Sequence, residues 1–319
     1  MTPTQLRAFA AVVRLSSVKQ AAADLSVSEA AVSMHIAHLR KELGDKLFTR
    51  TAAGLAFTPG GLRLASRASE MLGLQARTLL EVSQAGAGRR MLRIAASNLF
   101  AEHAAPGLIE LFASRADDLD VELSEHSPQR FAGLLLAREV DVAIGPRPGT
   151  VDGSVSCTPF LNYQVMAVVS PDHPLCGVAS PSVSQLREQT WLLGPSAADR
   201  VGLVPSLLRK INVPETHQQI FQSHAAAVEE AKRGKGIALA VAFAVSQDIA
   251  GGYLRPLSGT YTQAKGAWNI LTLSGSGAPS AAAELTRFVT TPRATQAMLR
   301  GAGVTAGRFR PAIHVTLWS

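Results

Sequence analysis

The apolar positions of the first ninety residues recur at helical spacing, interrupted by turn residues. Leu6, Phe9 and Val13 predict a helix opened by TPTQ, with Thr2 as N-cap, Pro3 at the first helical position and Gln5 reaching back as in a capping box. Val18, Ala21, Ala22 and Leu25 predict a short second helix from about Ser17, after which Ser26 and Val27 turn the chain. A third helix starts at Ser28, where Val32, Ile36, Leu39 and Leu43 fall at i, i+4, i+7 and i+11 and form one stripe toward the first two. The pattern then shortens to two strands, residues 47–50 and 55–58, around the turn TAAG, which together make a wing. From Thr58 a long helix is predicted, with Leu64, Ala68, Met71, Leu72, Leu79 and Val82 along one side, ending before AGAG. Such a stripe suits core packing or a partner helix equally.

After AGAGRR the pattern becomes strands alternating with helices. MLRIAA, VELSEH and VDVAIG read as strands separated by helices near 105–114 and 129–137. A second run of the same βαβαβ kind occupies MAVVS, a helix near 205–210, HQQIFQ, a helix near 226–233, and GIALAV. The chain recrosses near Ala264, with WNILTL returning to the first subdomain ahead of a helix at 281–290. Open α/β sheets bind ligands beyond the carboxyl ends of their strands. That rule singles out Ser97 and Asn98, Ser127, Gly145 and Pro146, and Ser196 after the strand WLLG. Each alone is as well explained as a cap or turn residue. Starting from separate strand ends they make a shared site, and hydroxyl and backbone N–H donors suit a carboxylate or similar anion.

Charge divides the chain at the same place. Residues 1–93 hold 13 Lys+Arg against 6 Asp+Glu, and residues 94–319 hold 18 against 18, so the whole net charge of +7 lies in the first third. A basic module joined to a neutral one points to an anionic polymer at one end. A membrane surface is a poorer partner, because no cluster of four basic residues lies on an amphipathic helix. The third helix shows where the polymer binds. Opposite its stripe stand Ala30, Ser33, Met34, Ala37 and Lys41, with His35 and Arg40 on the flanks. A solvated surface would carry Glu and Lys pairs. A helix lying in the major groove of double-stranded DNA instead needs small residues for close approach, a hydroxyl, and apolar groups for thymine methyls. Ser28 caps that helix, and Arg50 at the base of the wing reaches phosphate or the minor groove.

LRAFAAVV, the AA and L of QAAADL, VSEAAVS, I-x-x-L, ELG, KLFTR and G-L-x-x-TPGG follow one another in an order and spacing that resembles the LysR-type transcriptional regulators. The resemblance is strong over residues 1–60 and continues through VDVAIG, SPDHPL and GKGIAL to about residue 290. It implies a winged helix-turn-helix whose helix from Ser28 to about Lys41 enters the major groove. It also implies a linker helix paired antiparallel with that of another subunit, and a periplasmic-binding-protein-like module of two subdomains with a small-molecule effector between them. A homodimer, a homotetramer and palindromic operators belong to the same implication. Glu29-Ala30 stands where many members have Gln-Pro, and Met34 where many have Arg, so typical base preferences do not transfer. The VSMHI version looks most like regulators of carbon-fixation operons.

The expected fold is α/β. Residues 1–58 form the winged helix-turn-helix, 59–88 the dimerisation helix and 91–319 the effector domain. Within the last, about 91–164 with 265–292 make one subdomain, about 165–264 the other, and 293–319 an extension in which residues 309–318 suit an edge strand. No GxSxG, GxxxxGK[ST] or HExxH occurs, and GKGIAL lacks a third glycine, so neither a catalytic site nor a cofactor is expected. His35 and His38 share a helix face without a third ligand, so no metal site is expected either. Cys157 and Cys176 are too few for a disulfide framework. The absence of a basic leader and of any 18-residue apolar window predicts a cytoplasmic protein. Two alternatives share the two lobes: a solute-binding protein of transport, and an enzyme using the interlobe cleft.

Overall fold

The computed structural model describes residues 1–51, 54–150, 153–275 and 279–300, without the side chains of 80, 81 and 83–87. Contacts divide the chain into two compact units, Met1–Gly88 with Leu136–Glu139 and Arg89–Leu135 with the residues from Val140 onward.

In the first unit α1 (Pro3–Leu15), α2 (Val18–Asp24) and α3 (Glu29–Leu43) close around Phe9, Val12, Val18, Ala21, Val32, Ile36 and Leu39. Each helix begins at its cap: the hydroxyls of Thr2, Ser17 and Ser28 accept from the backbone N–H of Gln5, Gln20 and Ala31. The Gln5 side chain accepts from Thr2 N in return, completing the capping box. The α3 stripe stops one turn early. Leu43 is 44% exposed, because Gly44 ends the helix with φ +65° and Leu47 fills the core in its place. β1 (Phe48–Thr51) and β2 (Gly54–Phe57) form the antiparallel hairpin, with Phe48 opposite Phe57 and Arg50 opposite Leu55.

A short hydrogen-bonded knot ties the hairpin to α4 (Pro59–Ala87). Thr58 N donates to Leu47 O at 3.0 Å, Thr58 Oγ1 donates to Asp45 Oδ1 at 2.7 Å, and Gly61 N donates to Thr58 Oγ1 at 2.9 Å. The predicted stripe on α4 then splits. Leu64 and Ala68 pack into the unit, whereas Met71, Leu79 and Val82 are exposed, Leu79 and Val82 by 66% and 68%.

The second unit opens with β3 (Arg90–Ala96), α5 (Asn98–His103), α6 (Ala105–Ala113), β4 (Leu119–Glu125), α7 (Phe131–Leu136) and β5 (Val142–Pro146). It continues through β6 (Val155–Val169), α8 (Val183–Arg187), β7 (Trp191–Leu193), α9 (Leu203–Ile211), β8 (Gln218–Ile220), α10 (His224–Lys232) and β9 (Ile237–Val241). It closes with α11 (Ser246–Ala250), β10 (Arg255–Pro256), β11 (Gln263–Leu273), α12 (Ser280–Phe288) and α13 (Pro292–Arg300). The strands run β4-β3-β5-β11-β6-β9-β7-β8, with β10 on β6.

β3, β4 and β5 are parallel, as are β7, β8 and β9, so each end of the sheet is an α/β lobe. β6 and β11 lie antiparallel over their length and carry the sheet from one lobe into the other. MAVVS is thus only the end of a 15-residue strand, and that strand runs antiparallel to β9, so the second lobe is not the parallel βαβαβ that the sequence pattern predicts. Pro159 and the exposed polar positions around it break the apolar alternation that would have marked the rest of β6. Where β11 bulges at Trp268/Asn269, Trp268 stacks on Tyr163 at 4.2 Å and meets the edge of Phe100 at 5.2 Å, an aromatic pillar at the junction of the lobes. α5, absent from the sequence expectation, starts directly at Ser97. The extension begins as a helix, since Ala294 and Met298 of α13 are buried and the helix packs on α6. The strand expected at 309–318 lies outside the described residues.

Candidate functional site

On the first unit, Ala30, Ser33, Met34, Ala37 and Lys41 are exposed along the outer face of α3. Ser28 is exposed too, but its hydroxyl is engaged in the cap. Ser33 and Arg50, 17 positions apart in the chain, line one groove of about 400 Å³ between α3 and the wing, together with Arg40, Lys46 and Thr49 over a floor of Val18, Ile36 and Phe48. The sequence reading missed Lys46 and Thr49, which reach the groove only because the hairpin folds back beside the helix.

Arg40 is not a free flank residue. Its Nη2 donates to Phe48 O at 2.7 Å and its guanidinium lies 4.7 Å from the centre of the Phe48 ring. It clamps the wing to the helix by a charge-assisted hydrogen bond and a cation–π contact.

On the second unit, the carboxyl ends of the strands in the two lobes face each other. Ser97 and Gly145 are neighbours: a Cβ on Gly145 would stand 3.0 Å from Ser97 Oγ and 2.8 Å from the Phe131 ring, so only glycine leaves room here. Ser97 is 4% exposed, and its hydroxyl has no hydrogen-bond partner, a polar group at the end of β3 ready to receive one. Pro146 lies against Gly202 of the other lobe, 3.7 Å from where a Cβ on Gly202 would stand. Ser127 donates its hydroxyl across the lobes to Asp199 Oδ1 at 2.5 Å. Asn98 instead turns outward, its Nδ2 donating to Glu125 Oε2 at 2.6 Å.

Ser196 belongs to a second bridge that the sequence did not predict. Its Oγ is 2.7 Å from His224 Nε2, and His224 Nδ1 is 2.9 Å from Glu102 Oε2 on α5 of the opposite lobe. Glu102 also caps α10, accepting from His224 N at 2.9 Å and Ala225 N at 2.7 Å. Burial raises the Glu102 pKa, but the hydrogen bonds from His224 and Ala225 outweigh it and bring the carboxyl down to about 2. Next to it, burial brings the His103 imidazole down to about 4, with Glu102 opposing the shift and His224 adding to it. Burial raises the Asp199 carboxyl, the Ser127 hydrogen bond acting against it. Gly194 makes the bridge possible: a Cβ there would stand 2.4 Å from the His224 ring. Glu102 and His103 are adjacent on α5 and His224 lies more than a hundred residues on, at the start of α10, so no local spacing motif announces them.

A winged helix-turn-helix with a basic groove, followed by a two-lobed α/β module with polar groups at facing strand ends, is the architecture of a ligand-responsive DNA-binding regulator. Residues 3–62 match the family described as bacterial regulatory helix-turn-helix protein, lysR family, and residues 85–292 match the LysR substrate binding domain. The chain belongs to the LysR family and is a DNA-binding transcriptional regulator with an effector-binding domain. It is 57% identical, over the full length of both proteins, to an uncharacterised HTH-type transcriptional regulator of Mycobacterium tuberculosis. It is also 32% identical to the RuBisCO operon transcriptional regulator of Allochromatium vinosum, over 59% of this chain and 62% of that one. Among solved structures, ArgP from Mycobacterium tuberculosis shares the fold with a TM-score of 0.58 at 19% identity, covering 90% of this chain and 97% of that one. Full-length LysG from Corynebacterium glutamicum with bound effector Arg has a TM-score of 0.54 at 21% identity, covering 95% and 98%. No described helix is long and apolar enough to cross a membrane.

Proposed function

We propose that the chain reads operator DNA as a cytoplasmic homodimer, assembled further into a homotetramer. Ala30, Ser33, Met34, Ala37 and Lys41 enter the major groove, and Ser28 and Arg50 contact its edges. The observation that carries this reading is the outer face of α3: exposed small side chains and a half-exposed methionine, beside a groove lined by Arg40, Lys46 and Arg50. Such a face has no surplus of surface ion pairs to keep it in solvent and every feature needed for close approach to base edges. The boundaries follow the sequence expectation: reading head at 1–58, dimerising helix at 59–88 and effector domain from 91. The exposed Met71, Leu79 and Val82 on α4 supply the apolar seam of the dimer.

The effector is a small molecule carrying an anionic group, held at Ser97, Ser127, Gly145, Pro146 and Ser196, with Asn98 engaged instead by Glu125. Ser97 is its first anchor, because a buried hydroxyl without a partner gains a full hydrogen bond when a ligand arrives. Binding between the lobes favours one arrangement of them and thereby the spacing of the paired reading heads. Fluorescence anisotropy of the full chain on the DNA beside its own gene, with scrambled DNA as control and salt varied, tests the reading. Salt-sensitive preference for the native fragment supports it. Equal affinity for both fragments at every salt concentration, with and without candidate carboxylates, overturns it.

A further inference from the structure

The bridge between the lobes contains more ligating atoms than a latch needs. One ligand atom from each of Glu102, His103 and His224 lies within 4.8 Å of the others. Glu102 and His103 come from α5 of one lobe and His224 from the start of α10 of the other. Two imidazoles and a carboxylate are the donor set that leaves one position open on a tetrahedral divalent ion. We propose that Glu102, His103 and His224 form a binding site for a divalent transition-metal ion of the zinc class, which pins the two lobes together.

Two features beyond the ligand count support this site. His224 Nε2 stands 2.7 Å from Ser196 Oγ. When that nitrogen carries the proton and donates to the serine, the Nδ1 lone pair is left for the metal, and metal-bound histidines are oriented by such a second hydrogen bond. Glu102 is held on its far side by the backbone N–H of Ala225 at 2.7 Å, so one carboxylate oxygen is fixed while Oε2 faces the imidazole. With the ion bound, the cation takes the place of the proton between His224 Nδ1 and Glu102 Oε2, and the imidazole carries its one proton on Nε2, where it donates to Ser196 Oγ. Hard cations such as Mg²⁺ and Ca²⁺ prefer all-oxygen sites, so the set selects against them.

The test uses the full chain, stripped with chelator and dialysed against Zn²⁺ or Co²⁺. Metal content and the visible spectrum of the Co²⁺ form are then read without any DNA, so this result stands apart from the regulatory reading. About one ion per chain is expected, with the intense d–d absorption of four-coordinate Co²⁺. His103→Gln and Glu102→Gln should abolish that absorption, and Ser196→Ala should weaken binding by roughly 10–100-fold. His38→Gln, on the exposed face of α3, should leave the stoichiometry and spectrum unchanged. Failure of the wild-type chain to retain either ion, or retention that is unaffected by His103→Gln and Glu102→Gln in variants whose circular dichroism matches wild type, overturns the assignment.

Discussion

Gly61 is the position where a single methyl group should uncouple the reading head from the helix that carries it. A Cβ there would stand 1.9 Å from the carbonyl oxygen of Leu47 and 2.8 Å from its carbon, whereas ordinary contact starts at 3.4 Å. The two backbones must part by about 1.5 Å, and neither end of the contact is a flexible side chain. Leu47 has little freedom to move: it is 1% exposed, sits at φ +61°, and its carbonyl accepts from Thr58 N at 3.0 Å. Separation breaks that bond and the Thr58 cap on Gly61 N. Overpacking against fixed backbone together with the lost cap costs about 3–5 kcal/mol. That is a large share of the roughly 5–15 kcal/mol that holds a domain together.

Gly61→Ala should therefore weaken DNA binding in the anisotropy assay by roughly tenfold or more, equivalent to about 1.4 kcal/mol or more. It should also lower the first far-UV circular dichroism transition. Unfolding followed by tryptophan fluorescence should not move, because all three tryptophans lie beyond residue 88. Gly60→Ala is the comparison: its Cβ meets only the Asp45 side chain, 2.2 Å from Oδ2, which can yield by loosening its bonds to Thr58 and Leu47 N without parting two backbones, so the loss should be smaller. Wild-type DNA affinity and an unchanged dichroism melt in Gly61→Ala would refute the reasoning.

Four further outcomes follow from the same geometry. Met34→Ala should change the ranking of operator variants, whereas Lys41→Ala should weaken all of them evenly and reduce the salt slope by about one; equal losses for both would count against the assigned roles. Ser97→Ala removes a buried hydroxyl that has no partner, so the melting temperature should stay level or rise, by up to about 1 kcal/mol of stability, while the DNA response to effector disappears; a marked loss of stability would show that the hydroxyl already has structural work. Leu79→Glu with Val82→Glu should shift sedimentation toward monomer, and an unaltered profile would remove α4 as the dimer seam. Hydrogen bonds from Thr58 and Leu47 hold the Asp45 carboxyl below its usual range, so its contribution to stability is present above the unfolded pKa near 4 and lost as pH falls through the depressed folded value. The urea-midpoint gap between wild type and Asp45→Asn should therefore shrink from pH 7 to pH 3, and a constant gap would contradict the linkage.

The sequence by itself determined the local and periodic features. Thr2, Ser17 and Ser28 start helices because a hydroxyl at an N-cap acts over three residues, and the α3 stripe and the hairpin register depend on neighbours within one or two turns. The same short range made the outer face of α3 and the strand-end positions Ser97, Ser127, Gly145 and Ser196 readable from the chain. Tertiary structure decided what depends on distant segments. Arg40 became a clamp only because β1 returns beside α3, and β6 became a 15-residue crossover only because β11 pairs with it from a hundred residues away. Ser127 found Asp199 72 positions on, and Glu102 found His224 122 positions on. Side-chain chemistry fixes what each of these groups can do, but the chain pays loop-closure entropy to bring them together, and only the packed sheet and its aromatic pillar at Trp268 set which ones meet.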